Sequence, residues 1–107
     1  MTNLNDREKA FENRFARDAE LQFKVTARRN RLLGNWAGEK LGLTTAEADA
    51  YAREVVAADF EEAGDDDVFR KVYGDLTAKG VEVSEHEVRR AMEEKLVEAR
   101  RQFIEEV

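Results

Sequence analysis

From residue 18 onward, apolar residues recur every three or four positions in four stretches, and each stretch is opened by a capping residue or closed by a glycine. That spacing places the apolar side chains of each stretch on one face of an α-helix. Residues 18–42 carry Leu21, Val25, Leu32 and Trp36 on such a face, with Leu33 beside them, and end at Gly42. Thr44-Thr45-Ala46-Glu47 then reads as a capping box, in which hydroxyl and carboxylate satisfy each other's backbone N–H groups. Ala48, Tyr51, Ala52, Val55, Val56 and Phe60 follow it, up to Gly64 as the C′ residue. Asp65, Asp66 and Asp67 suit the positive end of a third, shorter helix with Val68, Phe69, Val72, Tyr73 and Leu76, closed by Gly80. Ser84-Glu85-His86-Glu87 is a second capping box, and Val88, Met92, Leu96, Ala99 and Phe103 form the last stripe.

No proline interrupts these segments. The alternating scrap Gly80-Val81-Glu82-Val83 is too short for a strand. Short loops imply antiparallel neighbours, so residues 18–107 are expected to form a small all-α, four-helix domain. At 107 residues the chain has enough for one modest core and little for a second.

Residues 1–17 differ. They are dense in charge and sparse in apolar side chains, Phe11 and Phe15 being the aromatic pair one turn apart. A helix of that kind is marginal by itself in water. It is therefore expected to be a mobile N-terminal arm that buries its two rings in a partner's groove, with charges pairing along the rim.

Composition narrows the function classes. Without cysteine there is no disulfide, thiolate nucleophile or Cys-based zinc site. No apolar run reaches membrane-span length, and Leu4 sits among polar residues where a signal peptide would have its apolar stretch. A soluble protein of the cell interior is expected, without membrane insertion. Residues 1–31 hold eight Lys/Arg and five Asp/Glu, against ten and nineteen in residues 32–107. A mildly basic arm on an acidic body fits docking on another protein and argues against nucleic acid, which demands phosphate neutralisation.

Candidates for chemistry are few. His86, the single histidine, sits in the first turn of a capped helix and reads as solvated. The run Asp65–Asp67 lacks the spacing and glycine of an EF-hand loop, and helix capping accounts for it; no metal is expected. Gly34, Gly38 and Gly42 repeat every four residues among charged neighbours, which suits a face where another helix packs closely. No Ser/His/Asp or Cys/His arrangement exists, so the chain is not expected to be an enzyme. Lys24, Arg28 and Arg31, with Arg29 nearby, form a basic face able to attract a phosphate, though without a glycine-rich phosphate loop.

The segments Asp6-Arg7-Glu8-Lys9-Ala10-Phe11-Glu12, Phe15-Ala16, Ala27-Arg28-Arg29-Asn30-Arg31-Leu32-Leu33-Gly34 and Trp36-Ala37 resemble the zeta subunit of the alphaproteobacterial F1-ATPase. So do Ala48-Asp49-Ala50-Tyr51-Ala52 and Asp59-Phe60-Glu61-Glu62-Ala63-Gly64, and the likeness runs from about residue 5 to about residue 100. The resemblance implies a four-helix domain with a mobile arm that inhibits ATP hydrolysis by entering, as a helix, an interface between an alpha and a catalytic beta subunit; gamma is a further candidate contact. It places the protein in the cytoplasm, peripheral to the inner membrane through F1. Carried onto this chain, the inhibitory segment spans residues 1–17, with Phe11 and Phe15 as anchors and Asp6, Arg7, Glu8, Glu12 and Arg14 as polar contacts. The similar mitochondrial inhibitor is regulated through histidines, a device that the single His86 does not support. The alternative function is a small helical sensor that binds ATP or ADP weakly through Lys24, Arg28, Arg29 and Arg31; no cofactor is otherwise expected.

Overall fold

A computed structural model describes residues 4–59 and 65–106. Among them the fold is all-α, with five helices and no strand: α1 Leu4–Arg17, α2 Ala19–Lys40, α3 Thr45–Ala58, α4 Asp66–Ala78 and α5 Glu85–Glu106. Helices α2 to α5 are the four expected from the periodicity. The expected arm is itself helical and makes a fifth. Phe60 and the C′ position assigned to Gly64 lie outside the described residues.

The local stop signals act as the sequence predicts. Gly42 and Gly80 take φ of +74° and +82°, the left-handed conformation that glycine adopts without penalty. Leu43 N–H donates to Gly38 O at 3.0 Å and Gly42 N–H to Glu39 O at 3.1 Å, which is a Schellman closure of α2. Val81 and Gly80 close α4 in the same way on Leu76 and Thr77. Thr44 accepts from Glu47 N–H at 3.2 Å, and Glu47 Oε1 accepts from Thr44 N–H at 2.9 Å, completing the first capping box. At the second, the Ser84 hydroxyl accepts from Glu87 N–H at 3.1 Å.

Two apolar clusters hold the helices together. The main one joins Leu33 and Ala37 of α2, Tyr51 and Val55 of α3, Val68, Phe69, Val72 and Leu76 of α4, and Val88, Ala91 and Met92 of α5. It contains no residue of α1. The second joins Phe11 of α1 with Leu21 and Val25 of α2 and Ala99 of α5; Phe15, Leu32, Leu96, Phe103 and Ile104 pack against it. Helix α2 thus buries Leu33 and Ala37 in the first cluster and Leu21 and Val25 in the second, whereas Leu32 and Trp36, expected at its core stripe, are half-buried.

Helix length explains the division. Helices α2 and α5 have 22 residues each, and α3 and α4 have 14 and 13. At about 1.5 Å per residue the long pair runs about 33 Å and the short pair about 20 Å. The short pair covers the first half of α5 and the second half of α2. The remaining apolar ends of the antiparallel long pair are covered by α1. The glycines of α2 set the other contact: a Cβ built on Gly34 would lie 2.5 Å from Ala52 Cα, and one on Gly38 3.0 Å from Ala48 Cβ. Gly34 and Gly38 are thus part of the close-packing face expected from their spacing, and α3 is what packs there; Gly42, expected on the same face, is corrected, since a Cβ there would meet nothing within 4 Å and the residue serves as the stop of α2.

Candidate functional site

A single residue, Asp18, separates α1 from α2. Asp18 has extended backbone (φ −111°, ψ 101°) and caps α2 by accepting from Leu21 N–H at 3.1 Å. Its own N–H donates to Arg14 O at 2.9 Å, finishing α1. Arg14, which is exposed, lies 3.7 Å from the Asp18 carboxylate.

Helix α1 turns at this residue to lie against the α2/α5 pair. Phe11 is 6% exposed, and Phe15, half-buried, stacks beside it with ring centroids 6.0 Å apart. The expectation that the arm has too little apolar surface to settle on its own protein is therefore corrected. Two rings suffice because Leu21, Val25 and Ala99 present a surface that the shorter helices leave open.

Polar contacts fix the seat. Arg7 Nη2 donates to Ile104 O at 2.8 Å and Gln22 Nε2 to Phe15 O at 2.7 Å. Both acceptors lie in the last turn of a helix, where carbonyls lack an intrahelical partner. The Arg100 guanidinium sits 4.6 Å from the Phe15 ring centroid. Between α1 and α5 runs a crevice of about 210 Å³ lined by Glu8, Phe11, Glu12, Val97, Arg100, Arg101, Ile104 and Glu105. Its rim is acidic on the α1 side and carries Arg100, Arg101 and Glu105 on the α5 side. Asp6, Glu8, Glu12 and Arg14, four of the five expected polar contacts, are exposed. Arg7 is half-buried at Ile104. Phe23, in spacing with the arm's rings, is 53% exposed on α2.

The basic face expected on α2 is divided. Lys24 is exposed and lies 3.2 Å from Glu20. Arg28 donates to Gln102 Oε1 at 2.9 Å and lies over the Phe103 ring at 4.5 Å. Arg29 turns inward instead: it is 3% exposed, donates from Nε to Asn30 Oδ1 at 2.6 Å and from Nη2 to Asp65 Oδ1 at 2.9 Å. Arg31 is exposed and lines a crevice of about 290 Å³ with Asp49, Ala52, Arg53 and Val56.

Asp66 and Asp67 stand in the first turn of α4, as expected, but the capping role read for the aspartate run is corrected. Asp65 is the N-cap of α4 but makes no side-chain capping bond; its carboxylate serves the buried Arg29. Asp66 lies 3.0 Å from Arg89 of α5, and Asp67 pairs with Arg70. The run ties α4 to α2 and α5. Among the described residues no group of three or more His, Cys, Asp or Glu could hold a metal ion.

Sequence reading missed Gln22, Arg100 and Ile104, the body's side of the arm contact. The available signal was the continuation of the α5 stripe through Ala99, Phe103 and Ile104, past the reach of the shorter helices. Opposite the arm, Tyr51 donates to Asp75 Oδ2 at 2.8 Å, and Lys71 lies 2.8 Å from the same oxygen. Burial, and then the Asp75 carboxylate, push the Tyr51 phenol above the usual tyrosine range.

A family model described as ATPase inhibitor subunit zeta matches residues 1–102 of the chain. A solution NMR structure is similar to it at 52% identity and TM-score 0.72, covering 81% of this chain and 99% of that one. No curated protein matches. No helix among the described residues is long and apolar enough to cross a membrane.

Proposed function

This chain belongs to the ATPase inhibitor subunit zeta family, regulatory subunits and not enzymes, and on that premise we propose that it inhibits ATP hydrolysis by F1 through its N-terminal helix. In this reading residues 1–17 are the effector and residues 18–107 the docking body. Helix α1 enters an interface between an alpha and a catalytic beta subunit, with Phe11 and Phe15 as anchors. Asp6, Arg7, Glu8, Glu12 and Arg14 meet polar groups at the rim. A wedge there opposes the closing of the catalytic interface that hydrolysis requires. The protein then sits at the cytoplasmic side of the inner membrane, held by F1.

The observation that supports this most is the arrangement of α1: a helix with one aromatic pair, joined through the single extended residue Asp18 to a body whose main core includes none of its residues. Each phenyl ring is worth about 1.5–3 kcal/mol on burial. Two rings and a charged rim are therefore enough for a helix-in-groove contact. The body, tethered next to F1, raises the effective concentration of the arm.

The test is ATP hydrolysis by F1 with the full chain and with a chain beginning at residue 18, whose helix content is followed by circular dichroism. The full chain is expected to inhibit and the folded, shortened one not to. Equal inhibition by both would remove α1 as the effector.

A second reading, weak ATP or ADP binding by the body, draws on the Arg31 and Arg53 crevice, with Asp49 at its side. With Arg29 committed to Asp65 and Arg28 to Gln102, that crevice is where titration with ADP should shift amide signals if the reading holds.

A further inference from the structure

We propose that the seat of α1 on the α2/α5 pair is an autoinhibitory contact, so that the protein stores its effector helix against its own body and becomes an inhibitor only when that helix lifts. The inference rests on the reading of α1 as the effector and adds how that effector is restrained. Its basis is a conflict of use. Phe11 and Phe15, the only large apolar side chains of α1 past Leu4, face Leu21, Val25 and Ala99, with Phe11 almost fully buried there. A ring occupied at home is not available to a groove elsewhere, so the two sites compete for one face of one helix.

The fold allows the helix to lift at limited cost to the rest. The main cluster of α2 to α5 closes without α1, and release opens the second cluster only. The hinge is already extended at Asp18. Because the Asp18 side chain caps α2 by itself, α2 keeps its N-terminus whatever α1 does. Besides the apolar contacts of Leu21, Val25 and Ala99, three contacts of the body hold α1 in place. Gln22 binds the Phe15 carbonyl, Arg100 lies over the Phe15 ring, and the Ile104 carbonyl accepts from Arg7. None of them contributes to the main cluster.

A partner meets such a protein with reduced apparent affinity, because only the lifted fraction is competent to bind. Weakening the body's grip should therefore strengthen inhibition, the reverse of what loss of a binding residue does. The experiment uses the full chain with Gln22→Ala and Arg100→Ala combined, both half-buried positions away from the main cluster. Amide exchange is read residue by residue, and inhibition of F1 hydrolysis is titrated in parallel. Faster exchange in α1, unchanged protection at Leu33, Val55, Val72 and Met92, and inhibition at roughly tenfold lower concentration are expected. Arg100→Lys, which keeps the charge but not the planar guanidinium over the ring, should move both readouts the same way by less. It carries the test if the double variant loses protection in the main cluster.

Faster exchange in α1 with inhibition unchanged or weaker overturns the proposal. So does unchanged exchange in α1, since the named contacts then do not hold it. If neither the wild-type chain nor a variant with demonstrably freed α1 inhibits, the effector reading itself falls, and this inference with it.

Discussion

The close approach of α2 and α3 can be tested by adding a single carbon. Glycine inside a helix costs roughly 1 kcal/mol relative to alanine, so Gly34→Ala should by propensity stabilise the protein. The structure opposes that gain. The new Cβ would stand 2.5 Å from Ala52 Cα and 3.0 Å from Ala52 Cβ. Carbon atoms rest at about 3.5–4.0 Å, so the helices would have to part by about 1 Å. The obstacle is backbone, which no rotamer change can move aside, and parting α3 from α2 also loosens Tyr51 and Val55 in the main cluster. Overpacking of this kind costs typically about 1–3 kcal/mol. Gly74→Ala supplies the control, because it sits inside α4 and a Cβ there meets nothing within 4 Å. It should gain about 0.5–1 kcal/mol. Both substitutions share the propensity term, so the difference between them isolates packing. Each kcal/mol moves the melting temperature of a domain this size by roughly 4–8 °C. Thermal and urea unfolding should therefore show Gly34→Ala below wild type and Gly74→Ala above it. If the two variants rise together, α2 and α3 are not in backbone contact at Gly34 and the account of this face is wrong.

The buried Arg29 and the Tyr51 pair give further predictions. Asp65→Ala leaves the Arg29 guanidinium, 3% exposed, without its carboxylate. Because Asp65 itself is more than half exposed, the expected loss is moderate, about 1.5–3 kcal/mol by urea unfolding; a change below about 0.5 kcal/mol would mean that water serves Arg29 equally well. Tyr51→Phe removes the hydroxyl donor to Asp75 while Lys71 remains on the same oxygen, and should cost about 1 kcal/mol at neutral pH. The Tyr51 phenol is raised in the folded state, so its contribution is complete below the unfolded tyrosine value near about pH 10 and is lost as pH rises beyond it, where the unfolded chain releases the proton and the folded one retains it. Wild type should therefore lose stability faster than Tyr51→Phe above about pH 10; parallel alkaline profiles would remove the burial argument.

The extent of what the sequence showed depends on how local each signal is. The Gly42 and Gly80 stops and the Thr44–Glu47 box needed only neighbours within five residues, and all three stand where the sequence placed them. The first packed helix likewise begins at Ala19, one residue from its expected start. The glycine spacing on α2 announced a close neighbour; that α3 supplies it, through Ala48 and Ala52, is seen only in the structure. The assignments that changed needed partners far along the chain. Asp65 reads as a helix cap until Arg29, 36 residues earlier, is found buried beside it. Arg29 reads as one of a basic face, because periodicity alone cannot choose which side of a helix buried on two sides is wet. Phe11 and Phe15 read as rings without a home, since neither Ala99 nor Val25 is near them in sequence.

The amino-acid sequence by itself determined the all-α class, the caps and stops of the helices and the family, because each of these is written in residue spacing or in matched segments. Tertiary structure alone decided where α1 lies and which arginine is buried. Both follow from the mismatch between two long helices and two short ones, which leaves apolar surface at one end of the long pair. How that surface is covered is settled by what happens to fit against it in space, a quantity that no local pattern contains.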